Sequence, residues 1–157
     1  MYNGYLGNYY LGNYFYVEEI ILSLSFFHLQ LQFSRSYTKK LNEQLVEFDL
    51  YLSQWSIVYY LKHFGASTLV EISQYLNVEK PTISRTVDRL QKSKMIEKVP
   101  SNDKRERKIQ LSEKGNDVYS KAMKVVEAFE QELIDGISEV EREVTLRTIQ
   151  TLGKKLN

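Results

Sequence analysis

The chain has 157 residues, 43% of them hydrophobic and 26% charged, with a formal net charge of +1. That is enough for one domain with a buried core. The absence of cysteine excludes disulfides, thiolate metal sites and thiol redox sensing, and the two histidines, His28 and His63, stand alone without acidic partners at ligand spacing.

The first sixteen residues, MYNGYLGNYYLGNYFY, hold six of the twelve tyrosines, three glycines and no charge, and repeat YLGNY twice in succession. They read as an N-terminal extension, 1–16, preceding a single domain at 17–157. Three roles are open for it: a flexible tail or misplaced start, an arm packed across a dimer or ligand cleft, or a self-associating segment. Residues 17–46 follow, with Leu22, Phe26, Leu29, Phe33 and Leu41 at helical spacing. LSLSF and FHLQLQF also alternate as strands do, but no partner strand is evident nearby, so a helix is expected. The apolar run 20–33 is too short and too polar to span a bilayer, and no basic residue precedes Arg35, so no secretory signal is read. A cytoplasmic protein without membrane contact is expected.

Next comes LSQWSIVYYLKHFG, a helix with Ser53 as its expected N-cap and Gly65 as its stop. Its expected inner stripe is Leu52, Trp55, Val58, Tyr59, Leu61 and Phe64. Thr68 and Glu71 fit a capping box for a short helix carrying Leu69, Ile72 and Leu76. Asn77 suits the tight turn that must follow. Pro81 belongs in the first turn of the next helix, with Ile83, Val87 and Leu90 inward. This pair of helices has the pattern of a helix-turn-helix. Strands are expected at 95–99 and 107–111, joined by the polar tip PSNDKRER, which makes a basic wing. Ser112 caps a long helix to about Asp135, with Val118, Ala122, Val125, Phe129 and Leu133 as its seam. Gly136 interrupts, and Ser138 with Glu141 starts a last helix.

Charge is concentrated in this middle region. Residues 80–108 carry ten Lys or Arg against four acids, while the rest of the chain is net acidic. Such a segment is a candidate polyanion face. No nucleophile–base pair, glycine-rich phosphate loop or paired-carboxylate signature points to an enzyme or to a cofactor.

DKRERKIQLSEKG at 103–115 and KPTISRTVDRLQKSKMIEKVP at 80–100 resemble the wing and the recognition helix of the MarR (multiple antibiotic resistance regulator) family of bacterial transcription factors, and the resemblance runs from about Phe33 to Leu156. It implies a mainly α fold with a small β-hairpin wing, a winged helix-turn-helix lobe at about 50–112 flanked by long dimerisation helices at about 17–46 and 113–156. It also implies an obligate homodimer on a pseudo-palindromic duplex, with a recognition helix in each major groove and a wing in the minor groove. A repressor released by a small aromatic effector is the expected activity. A winged helix used for protein–protein assembly is the alternative.

The residues expected to meet DNA are Lys80, Thr82, Ser84, Arg85, Thr86 and Arg89 on the helix and Lys104, Arg105 and Arg107 on the wing. Arginine donates two hydrogen bonds to a guanine edge, and Arg105 suits a narrow minor groove. Asp103 is expected to orient the wing, by a turn or by pairing with Arg105, or to be an ordinary turn residue. Tyr37, Trp55, Tyr59 and Arg85 are the candidate effector contacts, with core packing the competing role for the aromatic rings. One departure stands out: the family often has Gly before the first wing strand, and this chain has Lys94. If that backbone needs positive φ, lysine costs about 1 kcal/mol relative to glycine.

Overall fold

The structure is a computed structural model that describes residues 7–100 and 108–156, with the side chains of the first helix described from Ser25 onward. It is mainly helical. The elements are α1 (Gly7–Leu45), a 3-10 turn (Val46–Phe48), α2 (Leu52–Phe64), β1 (Ser67–Thr68), α3 (Leu69–Leu76), α4 (Lys80–Lys92), β2 (Ile96–Lys98), β3 (Lys108–Leu111), α5 (Glu113–Ile134) and α6 (Glu139–Leu156). The chain divides into two units, residues 1–43 and 44–157.

The first unit is the body of α1. A helix forms where strands were the competing reading, and it begins at Gly7, inside the tyrosine-rich stretch. Residues 1–6 lie outside the described residues. At about 100° per residue, Phe26, Leu29 and Phe33 fall on one side of α1, while Phe27 and Leu31 fall on the opposite side. All five are exposed. His28, Gln30 and Gln32 lie between the two stripes.

The second unit is a winged-helix lobe extended by two helices. Its sheet has three strands in the order β1-β3-β2, all antiparallel. Ser67 and Thr68 pair with Ile109 and Lys108, a third strand that the hairpin expectation lacked. Ile96 pairs with Leu111 and Lys98 with Ile109. Alternation puts Ile109 and Leu111 into the core while Lys108 and Gln110 face outward. The core also contains Ile57, Val58, Ile72, Val87 and Leu90, each essentially inaccessible.

Two details of α2 differ from expectation. Its N-cap is Tyr51, not Ser53, because the Gln54 side chain accepts the Tyr51 backbone N–H at 3.1 Å. Its buried residues are Trp55, Ile57, Val58, Tyr60 and Leu61, whereas Phe64 is exposed and Tyr59 only half-buried. A helix packed on more than one side buries a wider arc than a single stripe.

Three helical segments end in the same way. After the 3-10 turn, α3 and α4, a residue in the left-handed region closes a Schellman motif. These residues are Asp49, Asn77 and Lys94, with φ of 55°, 50° and 60°. After α4, the Met95 N–H donates to Leu90 O and the Lys94 N–H to Gln91 O, both at 3.0 Å. Buried Leu90 and Met95 supply the apolar contact of the motif. Lys94 therefore does occupy the positive-φ position at which the family often has Gly.

Ser112 caps α5 as expected, accepting the Gly115 N–H at 3.0 Å. The buried seam is Tyr119, Ala122 and Val126, one position along from the expected Val118 and Val125, and Leu133 is exposed. Ser138 and Glu141 form the expected capping box of α6. No residue of α6 is buried.

Candidate nucleic-acid interface

The helix-turn-helix is built by local caps. The Glu71 N–H donates to Thr68 Oγ1 at 3.2 Å, and Glu71 Oε2 accepts the Thr68 N–H at 2.7 Å. The Thr68 backbone N–H, and then its hydroxyl, hold the Glu71 carboxyl below its ordinary value. Three residues separate α3 from α4. Asn77 takes the left-handed turn, and the Val78 N–H returns to Ser73 O at 3.1 Å. Pro81 sits in the first turn of α4, where a missing N–H costs nothing.

Ile83, Val87 and Leu90 fix α4 in the core. Helical geometry then turns Arg85 and Arg89 to the opposite side, where both are exposed. Thr82 is exposed beside them, and Lys80 is exposed at the start of the helix. Thr86 is half-buried, and its hydroxyl donates to Thr82 O at 3.0 Å, leaving it lone pairs for an incoming donor. Ser84 lies about 120° round the helix from the arginines and is half-buried. It belongs to the flank of the face rather than its centre. A shallow groove of about 120 Å³ runs beside α4, walled by Thr82, Ile83 and Thr86 on one side and Ser53 and Ser56 of α2 on the other.

On the wing, the Gln110 side-chain amide donates across the strands to Glu97 at 2.8 Å. Lys98 is exposed and Lys108 half-exposed at the base of the hairpin. Asp103, Lys104, Arg105 and Arg107 lie outside the described residues.

The expected effector residues are only partly brought together. Trp55 and Tyr59 are neighbours, with ring centroids 6.2 Å apart. Trp55 is buried and stacks on Tyr119 of α5 at 5.5 Å. Tyr59 leans on His63 at 4.2 Å, and the Tyr119 hydroxyl lies 3.3 Å from His63 Nε2. Burial pushes the Tyr119 phenol up from its ordinary value, with Tyr59 and Glu127 adding to the effect. Among the described residues, no ring contact or hydrogen bond links Arg85 to this cluster. Tyr37 belongs to the other unit, where it stacks on Phe33 at 6.0 Å. Tyr119 and His63 were missed in the sequence because they complete the cluster from a distant helix and from the polar end of α2.

The MarR family model matches residues 50–106, a span that includes α2, both helices of the helix-turn-helix and the start of the wing. The uncharacterised HTH-type transcriptional regulator YwoH of Bacillus subtilis is 38% identical over 112 residues, covering 71% of this chain and 82% of that protein. The chain belongs to the MarR family.

As a MarR-family HTH-type regulator, it is a DNA-binding transcriptional regulator with a winged-helix fold. It is also similar to an uncharacterised HTH-type transcriptional regulator of Staphylococcus aureus, SAS2155, at 28% identity over 139 residues, covering 87% of this chain and 95% of that one. Among solved structures, Staphylococcus aureus MarR in complex with salicylate and kanamycin matches with a TM-score of 0.79 at 27% identity, over 87% of this chain and 93% of that one. The Staphylococcus aureus MepR–DNA complex matches in fold, with a TM-score of 0.74 at 23% identity over 82% and 94%. Among the described residues, no helix is long and apolar enough to cross a membrane.

Proposed function

We propose that this MarR-family protein works in the cytoplasm as a homodimeric repressor, without enzymatic activity, on a pseudo-palindromic operator. Its DNA-binding lobe is about 50–112, its dimerisation helices are about 17–46 and 113–156, and 1–16 is an extension. The observation that carries the reading is the outward face of α4, where Arg85 and Arg89 share one side of a helix anchored by Ile83, Val87 and Leu90. Lys80, Thr82 and Thr86 supply phosphate or base contacts around them, with Ser84 at the margin and Lys104, Arg105 and Arg107 on the wing. Dimerisation is supported by α6, an 18-residue helix with Val140, Val144, Leu146 and Ile149 all exposed. A helix of that length without a buried face needs a partner to be stable.

The likeness to the salicylate complex supports a small aromatic acid as effector, with Trp55 and Tyr59 as its proposed contacts in the lobe. The effector shifts the population toward a dimer whose recognition helices no longer match successive major grooves. Unchanged spacing between the two α4 helices with and without effector would remove this mechanism.

Fluorescence anisotropy tests the function. The purified protein is titrated with duplex from upstream of its own gene and with a scrambled duplex, at two salt concentrations. Tight, salt-sensitive and sequence-selective binding is expected. Replacing Arg85 and Arg89 by Ala abolishes selectivity while the dimer persists. Retention of selective binding by that double variant refutes the assignment of the face, and absence of DNA binding at low salt favours a protein-assembly role.

A further inference from the structure

The segment LSEKG does more than start a helix. Four contacts tie the first turn of α5 to the turn that ends α4. The Ser112 hydroxyl donates to Lys94 O at 2.7 Å, and its backbone N–H donates to Met95 O at 3.0 Å. The Lys114 ammonium donates to Ser93 O at 2.8 Å. Gly115 lies so close that a Cβ built on it would be 2.0 Å from Met95 O. The carbonyls at this end of α4 carry the negative end of its dipole, and the Lys114 charge complements it.

The base of α5 is also fastened to α2. Lys62 Nζ donates to Asn116 Oδ1 at 2.9 Å, and Tyr119 stacks on Trp55. Beyond Val126, no residue of α5 is fully buried, and Phe129 and Ile134 are half-buried. The helix is thus clamped at its base. Its clamped end holds the recognition helix by the carbonyls of Ser93, Lys94 and Met95.

We propose that Lys114 and Ser112 are positioning residues for operator recognition, locking α4 to the base of α5 so that the direction of α5 sets the direction of the recognition helix. This rests on the dimeric DNA-binding reading above. In a dimer held through its long helices, the lock turns the geometry of the dimer into a fixed separation between two recognition helices. The protein would then measure half-site spacing. Inserting one base pair displaces a half-site by about 3.4 Å and rotates it by about 35°, and a rigid joint does not follow both changes.

The test uses the full-length protein and a duplex selected by it from random-sequence DNA. Two further duplexes have one base pair added or removed at the centre. The wild type is expected to prefer its selected spacing by about tenfold or more. Lys114→Met keeps the aliphatic stem and removes the ammonium. It should bring the three duplexes to within about threefold of one another while the protein stays folded and dimeric. Lys114→Arg should restore the preference, and Ser112→Ala should reproduce the loss independently. If Lys114→Met and Ser112→Ala both keep the wild-type preference, the inference is wrong. It is also wrong if Lys114→Met weakens all three duplexes equally, since that marks a phosphate contact or a loss of stability. A wild type that is selective for sequence but indifferent to spacing overturns the inference alone. A wild type that binds no duplex selectively overturns the reading beneath it and the inference with it.

Discussion

Replacing Gly115 with alanine probes the tightest contact in the lobe. Gly115 is the third residue of α5, and its ideal Cβ would be 2.0 Å from Met95 O and 3.0 Å from Met95 C. Real Cβ atoms essentially never come closer than 3.0 Å, so something must move by about 1 Å. Met95 cannot yield freely. Its side chain is buried, its N–H donates to Leu90 O and its carbonyl accepts the Ser112 N–H. The strain of overpacking costs about 1–3 kcal/mol, and weakening one hydrogen bond adds about 1 kcal/mol. Alanine recovers about 1 kcal/mol over glycine through helix propensity. The net loss is about 2 kcal/mol. For a chain of this size that lowers the melting temperature by roughly 4–8 °C. Thermal unfolding followed by circular dichroism, at one fixed protomer concentration, measures it. A Gly115→Ala protein as stable as the wild type would refute the reasoning, because the close approach would then carry no energetic weight.

Further outcomes follow from the same geometry. Lys94→Gly should raise stability by about 0.5–1 kcal/mol, since it relieves a left-handed lysine at some cost in unfolded-chain entropy. A denaturant midpoint at or below that of the wild type would count against it. Glu71→Gln should matter most at neutral pH. The Glu71 carboxyl is held below its ordinary value of 4.5, so its contribution is present above that pH and fades as pH falls through the lowered value. The stability gap between wild type and variant should therefore narrow in acid, and a gap that widens contradicts the capping geometry. Tyr119→Ala should cost about 3–5 kcal/mol by emptying the space against Trp55, as urea unfolding would show.

The sequence signals that proved legible were local ones. Thr68 with Glu71, Asn77 and Pro81 each act within a few residues, and together they outline the helix-turn-helix and its outward arginines. What was not legible depended on partners far along the chain. Ser67 and Thr68 show no strand periodicity over two residues, and only pairing with Lys108 and Ile109 makes them a strand. Ser53 is the better cap by residue type, but the Gln54 side chain reaches back to Tyr51 and moves the start of α2. Phe64 fits a helical stripe yet stays exposed, its ring packed only against the rings of Tyr60 and exposed Tyr75 among the described aromatic contacts. The clustering of Trp55, Tyr59, His63 and Tyr119 joins residues up to 64 positions apart, which no local pattern announces.

The two-sided character of α1 also bears on how this chain fails. As a helix, FHLQLQF puts Phe27 and Leu31 on one side and Leu29 and Phe33 on the other. As a strand, the same seven residues would align all four on one face, with His28, Gln30 and Gln32 on the other. The segment has no charge, proline or glycine, which is the composition of a steric zipper. In a protomer without its partner these four apolar side chains stay exposed, and the helical state keeps them from aligning on one face. Pairing in the proposed dimer would protect the chain from amyloid-like stacking as well as set two reading heads side by side.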